Sequence, residues 1–400
     1  MPISVPERGS RKVLVYKTDI LPFSETFIRD QVLSYQRWQA TLAGLRYTRQ
    51  LSLAGVDAQL LCNERGPDAW KIANDIRRVM WAFPREAARR VASHRPDIVH
   101  AHFGASGVEI WPLARMLHIP LLITLHGSDV SINADWFYRG KGGTLMRFYP
   151  GRLLRIAREP GVRFIAISEA VRRAAIRFGI SPDKVTVRYI GLDPTKWQPG
   201  SRDILSRPRR ILFVGRLIEC KGCEHLVRSF LALKASVPDA ELVIIGDGPL
   251  RQALEAQAKE NENSVRFLGA VSPDEVKRQL GEARVLCLPS VTLPNGQAEG
   301  LGMVLLEAQA SGVPVVAYGT GGVSEAIQDG ETGFVVTEGD RSRLIERLRL
   351  VLENDSIAIR MSEAGPGFVH KHFDIRKCTR ELELFYDGIV EGARQGGAAR

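Results

Sequence analysis

Two carboxylates in the second half of the chain, Glu299 and Glu307, have seven residues between them in the run Glu299-Gly-Leu-Gly-Met-Val-Leu-Leu-Glu307. If Gly302 opens a helix, this spacing sets them about two turns apart on one face, the first in the loop ahead of the helix and the second inside it. Between them, the backbone N–H groups of Gly302, Met303 and Val304 lack intrahelical partners, which makes an anion site flanked by two hydrogen-bond acceptors. A ligand with a diphosphate between two polyol rings fits this better than a metal or a simple acid, and nucleotide-sugars have that shape. Taken singly, each glutamate reads equally well without a ligand, Glu299 as a solvated loop residue and Glu307 as an acid favoured by the helix dipole.

Two cations stand upstream. Arg216 and Lys221 follow the strand-like run Arg210-Ile-Leu-Phe-Val-Gly and precede a helix. Cleaving a sugar–diphosphate bond leaves a further negative charge on the leaving group, which preorganised cations stabilise. The glycine spacing is not that of a Walker A loop. In the first half, the apolar runs Asp97-Ile-Val-His-Ala-His-Phe-Gly104 and Pro120-Leu-Leu-Ile-Thr-Leu-His-Gly-Ser-Asp129 read as buried parallel strands that end in polar residues. Ligands of open α/β sheets bind outside the carboxyl ends of strands, where His102, His126 and Asp129 are expected. A lone histidine at a strand end is more often structural than functional.

These motifs resemble the family 4 retaining glycosyltransferases (group 1) of the GT-B fold. The family's signature is Glu, seven residues, Glu, then Ala and a Gly-x-Pro-Val-Val strand, here Gly312-Val-Pro314-Val-Val. Gly215-Arg216…Lys221-Gly222 resembles its Gly-Arg-x-x-x-x-Lys-Gly, and His126-Gly-Ser-Asp129 its His-Gly-x-Asp. Pro22-Phe-Ser-Glu-Thr-Phe-Ile28 is similar to the opening motif of a subgroup that builds bacterial exopolysaccharides, colanic-acid enzymes among them; the Gly-Gly loop that many members carry there is replaced. The resemblance implies an α/β protein of two facing Rossmann-like, doubly wound domains with a cleft between them. It implies Glu299 on the donor hexose, Glu307 on the ribose, and Arg216, Lys221, Gly302, Met303 and Val304 on the diphosphate. The base would lie against the backbone from Leu268 to Val271, and His126 beside the reacting carbon. Ser24, His102 and Asp129 are further candidates. The implied reaction moves a hexose, from a UDP-sugar by preference, to a glycan or lipid-linked oligosaccharide of a surface polysaccharide with retention. With no Asp-x-Asp in the chain, neither metal nor cofactor is expected.

The elements that would position these residues fall into two halves. Four hundred residues with 44% hydrophobic content suit two domains with proper cores. Residues 1–193 read as one α/β domain, 194–209 as a Gly- and Pro-marked linker, 210–374 as a second α/β domain, and 375–400 as a helix with its tail frayed from Gly392. The resemblance implies that the first is the acceptor-side domain, that the second binds the nucleotide-sugar, and that the last helix crosses back to the first. Amphipathic helices are predicted at 342–354 and 375–393. Charge is uneven: residues 1–200 carry 30 Lys and Arg against 17 Asp and Glu, a net +13, and residues 201–400 carry 25 against 28. Motifs for nucleic acid are absent, so an anionic membrane surface is the expected partner of the basic half. Residues 71–95 read as a basic helix broken near Pro84, either solvated or lying on lipid headgroups. Residues 136–158 interleave aromatic rings with cations, which suits either core packing or an acceptor grip.

No leader or membrane span is legible, and the five cysteines have no paired framework, so a cytoplasmic protein, peripheral on the inner face of the membrane, is expected. Cys220 and Cys223 form a C-x-x-C without a second ligand pair. Two rival classes remain: a non-catalytic nucleotide-sugar sensor or scaffold that keeps the pocket, and an NAD-dependent oxidoreductase, whose glycine fingerprint Gly246-x-Gly248 leaves incomplete.

Overall fold

The computed structural model describes residues 11–20, 25–48, 52–61, 75–77, 79–83 and 85–398. They form two compact units. The first runs to Ile167 and resumes over Val171–Gly191 and from Ile375 onward; the second comprises Ser168–Ala170 and Leu192–Asp374. Residues 194–209, expected as a linker, therefore go with the second unit.

The strands of the first unit are β1 (Arg11–Tyr16), β2 (Asp19–Ile20), β3 (Trp38–Gly44), β4 (Arg46–Tyr47), β5 (Ala58–Leu60), β6 (Ile98–His102), β7 (Leu121–Leu125), β8 (Val162–Ala166) and β9 (Val185–Val187). Seven of them make one sheet in the order β5-β3-β1-β6-β7-β8-β9, with β2 and β4 as a separate pair. Every pairing in the larger sheet is parallel. All five residues of β6 and of β7 are buried, the pattern of strands covered on both faces. The order reverses between β1 and β6, and at such a switch point an open α/β sheet presents its crevice.

The helix Ile375–Ala398 belongs to this first unit. Its Leu382, Tyr386 and Val390 join Val13, Val15, Ile28 and Trp38 in one core. Its buried Glu383 accepts through Oε1 from the backbone N–H groups of Gln36, Arg37 and Trp38 at 2.9, 2.7 and 2.9 Å. A carboxylate thus satisfies three donors that the turn into β3 would otherwise leave unpaired. The tail expected to fray from Gly392 is helical to Ala398.

The second unit contains β10 (Arg210–Val214), β11 (Glu241–Ile245), β12 (Val265–Gly269), β13 (Val285–Leu288), β14 (Val315–Tyr318) and β15 (Gly333–Val336), all parallel, in the order β12-β11-β10-β13-β14-β15. Its switch point lies between β10 and β13. Helices Cys223–Leu233, Met303–Ala310, Arg341–Glu353 and Asp355–Phe373 flank the sheet's strands in the chain. The last of these was not legible because it contains Pro366 between two glycines. Gly365 itself has a packing reason: a Cβ there would stand 2.8 Å from the Gln309 carbonyl oxygen, so the glycine lets this helix press against Met303–Ala310.

Candidate active site

In the second unit the chain leaves β10 at Val214, and Gly215, Arg216 and Lys221 follow at the carboxyl end of the switch-point strand. Lys221 closes a short 3-10 turn, and Gly222 starts the helix Cys223–Leu233. From the neighbouring β13, the chain runs through Ser290 into the loop that carries Glu299, and Gly302 then opens the helix Met303–Ala310 with φ of 87°. The helix start therefore lies where the spacing of the two glutamates puts it. Leu305 N–H already reaches the Gly302 carbonyl, so the first-turn N–H groups of Met303 and Val304 are those that an α-helix leaves without intrahelical partners.

The two strand ends bring Lys221 and Glu299 together. Lys221 Nζ lies 2.6 Å from Glu299 Oε2, and the same oxygen accepts from the Ser290 hydroxyl at 2.9 Å. Oε1 has no partner among the described residues. Burial alone would raise the Glu299 pKa, but the charge and hydrogen bond of Lys221, with Ser290 and the more distant Arg216, hold it below the usual carboxylate value. Arg216 is exposed, and Glu307 is half-buried on the helix. Leu268 is the penultimate residue of β12 and Val271 follows it in the next loop, both half-buried.

The loop Gly319-Thr-Gly-Gly322 backs this constellation. Gly321 has φ of 56°, and a Cβ on it would stand 1.9 Å from the Glu299 carbonyl oxygen. Gly322 N–H donates to that oxygen at 3.0 Å. Thr292, earlier in the loop that bears Glu299, is clamped by Glu338 through its backbone N–H at 2.5 Å and its hydroxyl at 2.8 Å. The position of Glu299 is therefore set from both sides.

In the first unit, His102 ends β6 and His126 follows β7. Their rings meet, His102 Nδ1 to His126 Nε2 at 3.1 Å. Phe103 stacks on His126 with centroids 4.2 Å apart, and Phe27 lies 5.1 Å away. Lys17, just past β1, places its ammonium 4.7 Å from the Phe103 centroid and pairs with the buried Glu25 at 3.0 Å. Asp129 is committed to the backbone: its Oδ1 accepts from Gly104 N–H at 2.9 Å and its Oδ2 from His126 N–H at 2.6 Å. It ties the two strand ends to each other. Burial pushes its pKa to about 6, despite those bonds. Burial pulls the His126 pKa down to about 3. Ser24 lies outside the described residues.

Sequence reasoning missed Ser290, Lys17 and Glu338, each a single polar residue just past a strand, which carries no spacing signal. Glu25 falls within the motif at residues 22–28, which gave it no role. The basic stretch 71–95 proves to be mixed. Arg77 is turned inward and pairs with the buried Glu109, whereas Val79 and Met80 are exposed. Of the aromatic segment 136–158, Phe137 and Tyr149 are core, while Tyr138 and Phe148 are exposed. Arg152 and Arg155 lie over the Trp81 ring at 5.1 and 5.4 Å. Cys220, Cys223 and Cys287 are buried free thiols, and burial pushes Cys223 up to about 12. Among the described residues, no group of three or more His, Cys, Asp or Glu is placed to hold a metal ion, and no helix is long and apolar enough to cross a membrane.

Comparison with known proteins gives a consistent picture. The family description "Glycosyl transferases group 1" matches residues 198–368, and "Glycosyltransferase Family 4" matches residues 45–196. The D-inositol 3-phosphate glycosyltransferase of Corynebacterium glutamicum (strain R) is 30% identical over 75% of this chain and 74% of its own length. The amylovoran biosynthesis glycosyltransferase AmsK of Erwinia amylovora is 29% identical over 72% of this chain and 69% of its own. Among solved structures, Anabaena Alr3699/HepE in complex with UDP and glucose superposes with a TM-score of 0.73 at 19% identity, covering 94% of this chain and 99% of that one. The fold of this chain, two Rossmann-like parallel-sheet units, is GT-B.

Proposed function

We propose, starting from the fact that this chain belongs to the group 1 glycosyltransferases of family 4, that it moves a hexose from a UDP-sugar to a glycan or lipid-linked oligosaccharide with retention and without a metal. It uses a nucleotide-sugar, and its relatives include transferases of exopolysaccharide synthesis. The observation that carries the finer reading is the state of Glu299. One oxygen is fixed by Lys221 and Ser290, and the other is left open. Oε1 accepts from a hydroxyl of the hexose. Lys221 has three N–H donors, and with one on Glu299 it keeps two for the diphosphate.

Arg216 and the N–H groups of Gly302, Met303 and Val304 complete the diphosphate site, so the charge that develops as the sugar leaves meets fixed positive ends rather than reorganising water. Glu307 binds the ribose hydroxyls, and the backbone from Leu268 to Val271 receives the base. His126 offers its ring to a sugar hydroxyl. The departing phosphate takes the acceptor's proton on the face it leaves, which accounts for retention without a second carboxylate nucleophile.

Thermal stabilisation by UDP, GDP, ADP and NAD tests this first. A ligand at about 100 times its dissociation constant adds ~2.7 kcal/mol. Selective stabilisation by UDP is expected; stabilisation by NAD alone overturns the reading, and UDP binding without turnover of any UDP-sugar leaves the sensor. The basic first half, with exposed Val79, Met80 and Phe148 beside Arg152, supports attachment to an anionic membrane surface. Cosedimentation with phosphatidylglycerol vesicles at low salt, lost at high salt, is expected; no binding at low salt sinks the attachment.

A further inference from the structure

The two site histidines of the first unit meet because of strand register. In the parallel pair β6 and β7, His100 stands opposite Leu122 and His102 opposite Thr124. Each imidazole reaches the residue two beyond its partner, which side-chain alternation keeps on the same face. His100 Nε2 meets the Thr124 hydroxyl at 2.7 Å, and His102 Nδ1 meets His126 Nε2 at 3.1 Å. Burial favours the uncharged form of both rings and draws both pKa values down, His126 to about 3 and His102 well below the ordinary value. Between two neutral imidazoles, one nitrogen donates and the other accepts, so only two arrangements exist.

The far nitrogen of His102 decides between them. His102 is 1% exposed, and its buried Nε2 has no hydrogen-bond partner among the described residues. Were the proton on Nε2, a buried N–H would be orphaned, and orphaned N–H groups are the rarer and costlier kind. With the proton on Nδ1, only a lone pair is left unmatched, and Nδ1–H points at His126. We propose that His102 donates Nδ1–H to His126 Nε2, and so locks His126 as the tautomer that presents Nδ1–H to a ligand.

His102 is thereby a positioning residue: it sets the polarity of the ring atom of His126 that remains open. The Phe103 stack and the Asp129 bond to the His126 backbone hold the ring and its root. A ring so held offers a hydrogen-bond donor, and its only lone pair is already engaged. It suits a hydroxyl oxygen of a hexose and cannot serve as a general base. That the ligand is the donor hexose rests on the function proposed above; the tautomer does not.

Long-range proton–nitrogen correlation spectra of the full chain, labelled with 15N at histidine and free of ligand, read the protonated nitrogen directly. The expected pattern is a protonated Nδ1 and a bare Nε2 on both His102 and His126. A protonated Nε2 on His126 overturns the proposal. His102→Asn keeps an amide N–H near the place of Nδ1, whereas His102→Leu removes it. With UDP-glucose, UDP-galactose and GDP-mannose as probes, nucleotide release is expected to fall at least about tenfold more in His102→Leu than in His102→Asn. Equal losses in the two variants, each folded by thermal melt, overturn the positioning role. If the wild-type protein turns over none of the probes, the donor reading fails while the spectra of His126 in wild type and His102→Leu still decide the tautomer: an unchanged His126 pattern in His102→Leu overturns it.

Discussion

Glu299 balances two opposed effects, since burial penalises its charge and Lys221 with Ser290 restores it. The sign of a variant's effect follows. Lys221→Met removes the compensation and leaves the burial, so the Glu299 pKa should rise above its ordinary value, which carboxylate 13C titration would read; an unmoved pKa would show that Ser290 and Arg216 suffice. With the folded-state pKa depressed, the wild-type pair adds stability above the unfolded carboxylate's pKa, and that contribution disappears as pH falls through the folded value. Glu299→Gln keeps the shape and Oε1 while weakening acceptance, so turnover should fall by about 100-fold with little change in UDP binding; unchanged turnover would remove Glu299 from the reaction. The glutamate pair, Lys221 and His126 were legible because each sits in a spaced motif with a glycine at a fixed offset. Ser290 was not, because nothing local distinguishes it from any other polar residue near a strand end.

At the scale of elements, the loop that bears Glu299 is held by the glycine-rich turn Gly319-Thr-Gly-Gly322. Gly321→Ala puts a methyl group against the Glu299 carbonyl at a backbone conformation that costs an alanine about 1 kcal/mol before any clash. Gly339→Ala has a similar φ of 82° with nothing within 4 Å of the added atom, and serves as its control. The first should lose most activity and the second little, with comparable melting shifts from strain alone; equal activity would mean that the Gly319-Thr-Gly-Gly turn does not set Glu299. Strands such as β6, β7 and β10 were legible as near-continuous apolar runs, whereas β3, Trp38-Gln-Ala-Thr-Leu-Ala-Gly44, carries no such run and was missed. Helix Asp355–Phe373 was not legible, because Gly-Pro-Gly reads as a breaker and the close approach to Met303–Ala310 that calls for Gly365 is not visible in the sequence.

At the scale of the molecule, the first unit is assembled from both ends of the sequence. Arg11 pairs with Asp387 at 2.6 Å across 376 residues of chain, Tyr386 bonds His100 at 2.6 Å, and Glu383 satisfies three backbone donors. Glu383→Ala should cost on the order of 3 kcal/mol in this unit alone. Hydrogen exchange at Gln36, Arg37 and Trp38 should accelerate while amides of β10 and β11 keep their protection; uniform acceleration would mean that the two units melt as one. The last helix was legible as amphipathic, and its partner came from resemblance, since no periodicity says which surface a helix covers. This division of the chain also fixes an order of events during synthesis. At about 5 to 20 residues per second, a ribosome that has made β1 works on for roughly 20 to 75 seconds before Ile375 is added. Throughout that interval the apolar faces of Val13, Val15 and Trp38 lack Leu382, Tyr386 and Val390. The second unit, whose sequence is complete at Asp374, has all its parts before the first does, so the half made first is the half finished last.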